Sequence, residues 1–219
     1  MAYRNRVWPD GSVRAEPVRG TVMGNRGGRI HDIETKEIIR TQASRRWICC
    51  VLAFKGRRRQ VMGRGYTELF FLDEVTALAA GHRPCFECRR EAARSFATLA
   101  SQAPGMRGRS DADALDRALA AERGAGRGAG RGTRLQVDLR HASGRLPAGT
   151  LLQQGDAFLA ISAKGLLRWS ASGYAPATAG GTDGASGLAE VLTPPLTRHV
   201  LAAGYQPIWH ASAGDASAS

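Results

Sequence analysis

Two cysteines, Cys85 and Cys88, stand a short step apart in "AGHRPCFECRR", residues 80–90. A Cys-x-x-Cys step lets two sulfurs converge on one point, as a tetrahedral metal ion requires. A helix beginning just after the pair would aim its N–H groups and dipole at the sulfurs. Arg83, Arg89 and Arg90 add positive charge nearby, and all three effects favour thiolates. Two sulfurs are not enough for a structural zinc, which takes four ligands. Cys49 and Cys50 are adjacent in a strand-like run, so they point to opposite faces and at most one can join. We take Cys50 as that third ligand. A histidine would complete the set. His31, in a glycine-rich bend, and His82, in the turn that positions Cys85, are the candidates; His82 would be cramped there, so His31 is preferred. The expected cofactor is zinc. Other readings stay open: Cys49 and Cys50 as small core residues, and Cys85 and Cys88 as a redox dithiol. A thioredoxin-like pair should follow the first strand of a βαβ unit, whereas here a helix and a turn come first.

Other residues bear on chemistry. "FKGRRR", residues 54–59, concentrates four cations where the pattern predicts a hairpin tip. Arginines on such a tip can grip phosphates with paired N–H donors. "MGNRGGR", residues 23–29, has three glycines but lacks the Gly-Lys-Ser/Thr ending of a phosphate loop, so nucleotide hydrolysis is not indicated. Glu68, Asp73 and Glu74 could serve a catalytic metal together with a histidine. Asp73, however, stands where a helix N-cap belongs, and Glu74 falls in the first turn, where a carboxylate is favoured. His199 and His210 show no ligand spacing.

The net charge is +12 over 219 residues, and its placement is uneven. Residues 1–110 hold 21 basic and 10 acidic residues, against 10 and 9 in the remainder. Such an asymmetry suits a first half that meets a polyanion. Codon bias alone would enrich arginine in both halves. No stretch approaches the ~20 apolar residues that span a bilayer, the N-terminus lacks a secretory pattern, and four cysteines are too few for a disulfide scaffold. The expectation is a soluble cytoplasmic protein with no membrane partner.

The elements that must position these residues follow from periodicity. Residues 1–19 read as a loose arm. "GTVMGNR", "KEIIRTQ", "RRWICCVLAF" and "YTELFFL" read as strands, the third apolar on both faces and therefore central. "KGRRR" then "QVM" reads as a hairpin. From Asp73, Val75, Leu78 and Ala79 share a helical face that Gly81 ends. A second helix is expected over about 86–99, with Ala92, Phe96 and Leu99 inward. "DADALDRALAAER" is a third, and "GAGRGAGRGTR" a flexible linker. The second half is β-rich, with strands in "TLLQQGDAFLAI", "GLLRWSASGYAPA" and "EVLTPP", then a short helix in "LTRHVLAAG". The class is α+β, with a basic domain over 1–103, a helix and linker over 104–134, a β-rich subdomain over 135–210 and a disordered tail.

Around the cysteine pair, "ELFFLDEVTALAAGHRPCFECRR" (residues 68–90) resembles the zinc-binding domain of the Ada-type bacterial alkylation-repair proteins. There an aromatic strand leads to a short helix and then to Ala-Gly-aromatic-Arg-Pro-Cys-x-x-Cys with a basic residue after it; the step from Phe71 to Cys85 fits as well. The resemblance covers about a tenth of the chain. It implies a zinc-ribbon-like element, Cys85 and Cys88 as zinc ligands, and a surface facing DNA. The family's first cysteine pair should fall within "AFKGRRRQVMGRG", which has no cysteine. The methyl-accepting cysteine belongs to that missing pair, so methylphosphotriester repair does not carry over. The chain as a whole resembles a set of bacterial proteins sharing "GNRG", "FKGRRR", "AGHRPC" and "LTPP…AGY.P", a grouping that implies no activity.

The leading expectation is a DNA-binding, or more broadly nucleic-acid-binding, protein with a structural zinc on Cys85, Cys88, Cys50 and His31. A link to DNA repair is the secondary expectation. Arg57, Arg58, Arg59, Arg89 and Arg90 would meet phosphates. The alternatives are a metal-dependent nuclease or thiol-based repair enzyme, and a protein-interaction adaptor docking through its second half.

Overall fold

Val7 and Val13 are buried on either side of a turn made by Asp10, Gly11 and Ser12. Asp10 accepts from the Ser12 N–H at 2.8 Å, and Gly11 supplies φ +81, which a side chain would resist. The first residues are therefore not a loose arm. They form a hairpin of β1 (Arg4–Val7) and β2 (Val13–Ala15). A computed structural model describes residues 2–58, 60–106, 108, 111–125, 135–177 and 187–214. The glycine–arginine run from 126, Arg59 and the tail from 215 lie outside them.

The hairpin belongs to a mixed six-stranded sheet in the order β2-β1-β5-β3-β4-β6. Its other members are β3 (Val22–Arg26), β4 (Trp47–Cys50), β5 (Leu69–Phe71) and the two-residue β6 (Arg83–Pro84). β4 runs antiparallel to β3 and parallel to β6, which brings Cys49 opposite Pro84. Gly24 lies opposite Cys49, and a Cβ there would come within 2.0 Å of the Ile48 carbonyl, so the close approach requires glycine. Two expected strands are not formed. "KEIIRTQ" contributes only an isolated bridge, His31 to Ile38, and "QVM" lies in a turn, with Met62 at φ +58. Ile38 packs instead against the apolar cluster of the first sheet and Met62 is buried, while Ile39 is exposed, so strand composition here serves packing without a sheet edge to join.

The second sheet is antiparallel, in the order β11-β10-β9-β8-β12-β7. It comprises β7 (Gln136–Asp138), β8 (Leu151–Gln154), β9 (Ala157–Ser162), β10 (Gly165–Ser170), β11 (Gly173–Pro176) and β12 (Leu188–Val191). Tight turns join β8 to β11 in succession, as the Gly-Asp and Lys-Gly steps indicated. A short helix, α4 (Leu139–Arg145), follows β7 and is numbered after three others: α1 (Glu74–Ala79), α2 (Arg90–Ala100) and α3 (Ala112–Ala125). A fifth, α5 (Pro195–Ala202), follows β12 with proline in its first turn. Two sheets and five helices make the described residues an α+β fold. None of these helices is long and apolar enough to cross a membrane.

All six residues of α1 are buried, because α1 touches three packing regions at once. Ala77 packs with Phe71 and Cys49 on the first sheet. Val75 and Ala79 pack with Leu151, Phe158 and Trp169 from the second. Leu78 joins a helical cluster of Phe96, Leu115, Leu119, Val200 and Tyr205. Residues on both sides of the 104–134 segment therefore share apolar clusters. Phe96 is fully buried, with the Tyr205 ring edge-on at 5.4 Å. We expect Phe96→Ala to cost about 3–5 kcal/mol in urea denaturation; a near-neutral result would mean the helices are not joined through this cluster.

Candidate metal centre

The site is built where β4 ends and α2 begins. β4 is short, and Cys49 and Cys50 fall on its opposite faces as alternation requires. Cys49 is fully buried among Val22, Leu69 and Phe71. Its sulfur accepts from Arg89 at 3.6 Å. Cys50 turns to the other face, with Met23, Ile48, Tyr66 and Phe70 around it. There it meets Cys85 and Cys88, and the three sulfurs lie within 4.8 Å of one another, close enough to hold a metal ion.

The α2 helix starts at Arg90, later than periodicity suggested, because residues 85–89 form a sulfur-binding turn instead. The Glu87 N–H points at the Cys85 sulfur, 3.4 Å away, and the Cys88 N–H bonds to it too. The Val51 N–H bonds to the Cys88 sulfur. The Cys85 N–H donates to the Cys49 carbonyl at 2.9 Å, which fastens the turn to the strand. These backbone donors are the part that residue types alone do not announce.

The three thiols are inequivalent. The Cys50 S–H donating to Cys85 pulls Cys85 down to about 5, and the N–H groups of Cys88 and Glu87 assist against burial. The same hydrogen bond pushes Cys50 up, with burial adding to it. Burial also raises Cys88. At neutral pH the trio therefore carries one thiolate and two thiols.

His31 is not brought to the cluster. It is buried, with Nδ1 2.6 Å from Thr67 Oγ1 and Nε2 3.0 Å from the Gly63 carbonyl. The Gly63 carbonyl can only accept, so Nε2 carries the proton. Thr67 Oγ1 also accepts from the Ile30 N–H. Both ring nitrogens are engaged, and His31 pins the 60–67 loop. His82 is also buried, packed between the rings of Trp47 and Phe71. Tertiary packing decides both cases, and spacing in the sequence cannot show it.

The candidate phosphate contacts divide. Arg57, Arg58 and Arg90 are exposed, and Arg57 pairs with Glu87 at 2.6 Å. Arg59 lies outside the described residues. Arg89 is turned inward and grips both oxygens of the fully buried Glu74, at 2.7 and 2.6 Å. Burial opposes its charge, but Glu74 raises the Arg89 pKa above its ordinary value. Tyr205 and the Ile208 N–H complete the shell of Glu74 at 2.7 and 2.8 Å. Asp73 caps α1, accepting from the Thr76 N–H and hydroxyl and from the His210 N–H. Glu68 accepts from the Met62 N–H. These three carboxylates have structural partners and stand apart from the cysteine cluster.

A cavity of about 670 Å³ lies beside Cys85, walled by Asn25, Ile48, Tyr66, Phe86 and the first residues of α3. The "MGNRGGR" bend supplies one edge of it through Asn25, Gly27 and Gly28. In comparisons with known proteins, no family model, curated protein or solved structure matches the chain.

Ligand sulfurs must lose their protons to bind a metal. With Cys85 already ionised at neutral pH and Cys50 and Cys88 protonated, a divalent ion should release about two protons there, not three. Below about pH 5 Cys85 is protonated too, so release should rise toward three and affinity should fall. Calorimetric titration in buffers of different ionisation heat reads this count directly.

Proposed function

We propose that the protein holds zinc on Cys50, Cys85 and Cys88 and uses the centre to seat a basic loop against nucleic acid, DNA being the first partner to test. Three sulfur donors suit zinc, which takes thiolates in tetrahedral sites. Cys85 and Cys88 also stand where the Ada-type resemblance places zinc ligands. A link to repair rests on that resemblance alone.

The observation that carries the reading is the continuity between the cluster and the basic loop. Cys50 leads directly into residues 51–58, and Arg57 reaches back to Glu87, between the two other cysteines. An ion that joined Cys50 to Cys85 and Cys88 would fix the root of this loop. Lys55, Arg57 and Arg58 are exposed on it, Lys55 and Arg57 lie over the Phe54 ring, and Leu52 is exposed. Cations interleaved with an aromatic and an apolar side chain suit a phosphate backbone with unstacked bases.

Elemental analysis should find one zinc per chain, lost in both Cys50→Ala and Cys88→Ala; retention of zinc in either variant would refute the ligand set. In fluorescence anisotropy with duplex and single-stranded DNA, affinity should fall steeply with salt. Replacing Arg57 and Arg58 by alanine should lower the slope of log K against log salt by roughly 0.7–0.9 for each phosphate no longer neutralised. Arg89→Ala should leave that slope unchanged and cost about 3–5 kcal/mol of stability, because it strands a buried carboxylate. A shallow salt dependence in the parent protein would end the nucleic-acid reading.

A further inference from the structure

All four cysteines and all five histidines of the chain fall within the described residues. Three cysteines converge, and the fourth, Cys49, is committed to the opposite face of β4. Among the described residues no histidine, aspartate or glutamate joins the three sulfurs. A closed structural zinc site has four protein ligands, whereas three protein ligands leave a position for an outside group. Cys85, one of the three, also lines the cavity of about 670 Å³. That volume is within the range of small-molecule sites.

The walls state what kind of group would enter. Glu87, Asp111 and Asp113 line the cavity beside Arg46 and Arg83; Glu87 is paired with Arg57, and both lining arginines are engaged as well. Arg83 is held by the buried Asp116 through two hydrogen bonds, and Arg46 pairs with Asp113 at 3.3 Å. A divalent ion on three thiolates would itself carry net negative charge. An anionic ligand would therefore meet repulsion from the centre. Tyr66 and Phe86 contribute aromatic side chains to the lining, Ile48 an apolar one and Asn25 a carboxamide.

We infer that the three-cysteine centre keeps an open fourth coordination position, reached through this cavity and suited to a neutral heteroaromatic ring with a nitrogen donor. The inference rests on the metal reading above. The ring could belong to a free heterocycle or to a base within a nucleic acid, since both present the same donor chemistry.

Cobalt(II) substitution tests it without any assay of activity. Protein loaded with one cobalt per chain should show sulfur-to-cobalt charge-transfer bands, and its visible ligand-field bands should shift saturably on adding imidazole or adenosine. A single-stranded oligonucleotide tested alongside distinguishes a base in a strand from a free ring. Ala112→Trp narrows the cavity at the start of α3, away from the sulfurs. It should leave cobalt loading and the charge-transfer bands unchanged while weakening the imidazole response roughly tenfold, equivalent to ~1.4 kcal/mol of binding. Normal loading with visible bands that no ring-nitrogen ligand alters would overturn the open position and leave the metal reading standing. An unchanged imidazole response in Ala112→Trp would overturn the cavity route. Failure to bind cobalt or zinc at all would remove the metal reading and this inference together.

Discussion

A carboxylate sealed from water needs donors around it, and Glu74 has four: two from Arg89, one from Tyr205 and one from the Ile208 backbone. Leaving such a charge unanswered is among the costliest faults a protein interior can contain. Glu74 opens α1, the helix that packs against both sheets and the helical cluster. Arg89 directly follows Cys88. The demand of one buried carboxylate therefore sets where the sulfur-binding turn ends and α2 begins. It also draws residues 205–208 against the same point. The arrangement of the cysteines is in this sense a consequence of how an interior charge is neutralised.

The arginine excess needs the same distinction between inside and outside. Arg83 and Arg89 are locked in buried ion pairs, and Arg26 is buried against Trp47 with a bond to the Gly11 carbonyl. Arg123 reaches in from α3, bonding to the Gly81 carbonyl and stacking on Trp47. Planar guanidinium groups suit such roles because they offer several donors and a flat face. The formal charge of the first half thus exceeds what its surface presents. The field that a polyanion would meet comes chiefly from exposed positions such as Lys55, Arg57, Arg58 and Arg90.

Much of the scaffold was legible from periodicity and punctuation. Asp73 as a cap, Gly81 as a left-handed stop at φ +85, the strands about Trp47 and Phe71, and the hairpins of the second half all follow local rules. The opposite facing of Cys49 and Cys50 was legible for the same reason. Short apolar runs misled: "KEIIRTQ" and "QVM" have strand composition but no partner edge, while the first residues gained one. His31 and Arg89 could not be placed, because their partners, Thr67, Gly63 and Glu74, are distant in sequence. The cavity beside Cys85 was equally hidden, being assembled from a bend, a strand, a turn and a helix start.

The bonds from Tyr205, Ile208 and His210 to Glu74 and Asp73 span 131 to 137 residues of sequence. A ribosome releases the cysteine-bearing segment long before it releases these partners. During synthesis the nascent N-terminal half must carry two carboxylates whose full set of donors has not yet emerged. Final consolidation of α1 is thereby deferred to the last stage of translation, and a chain stalled before residue 205 would display acidic groups that the finished molecule conceals.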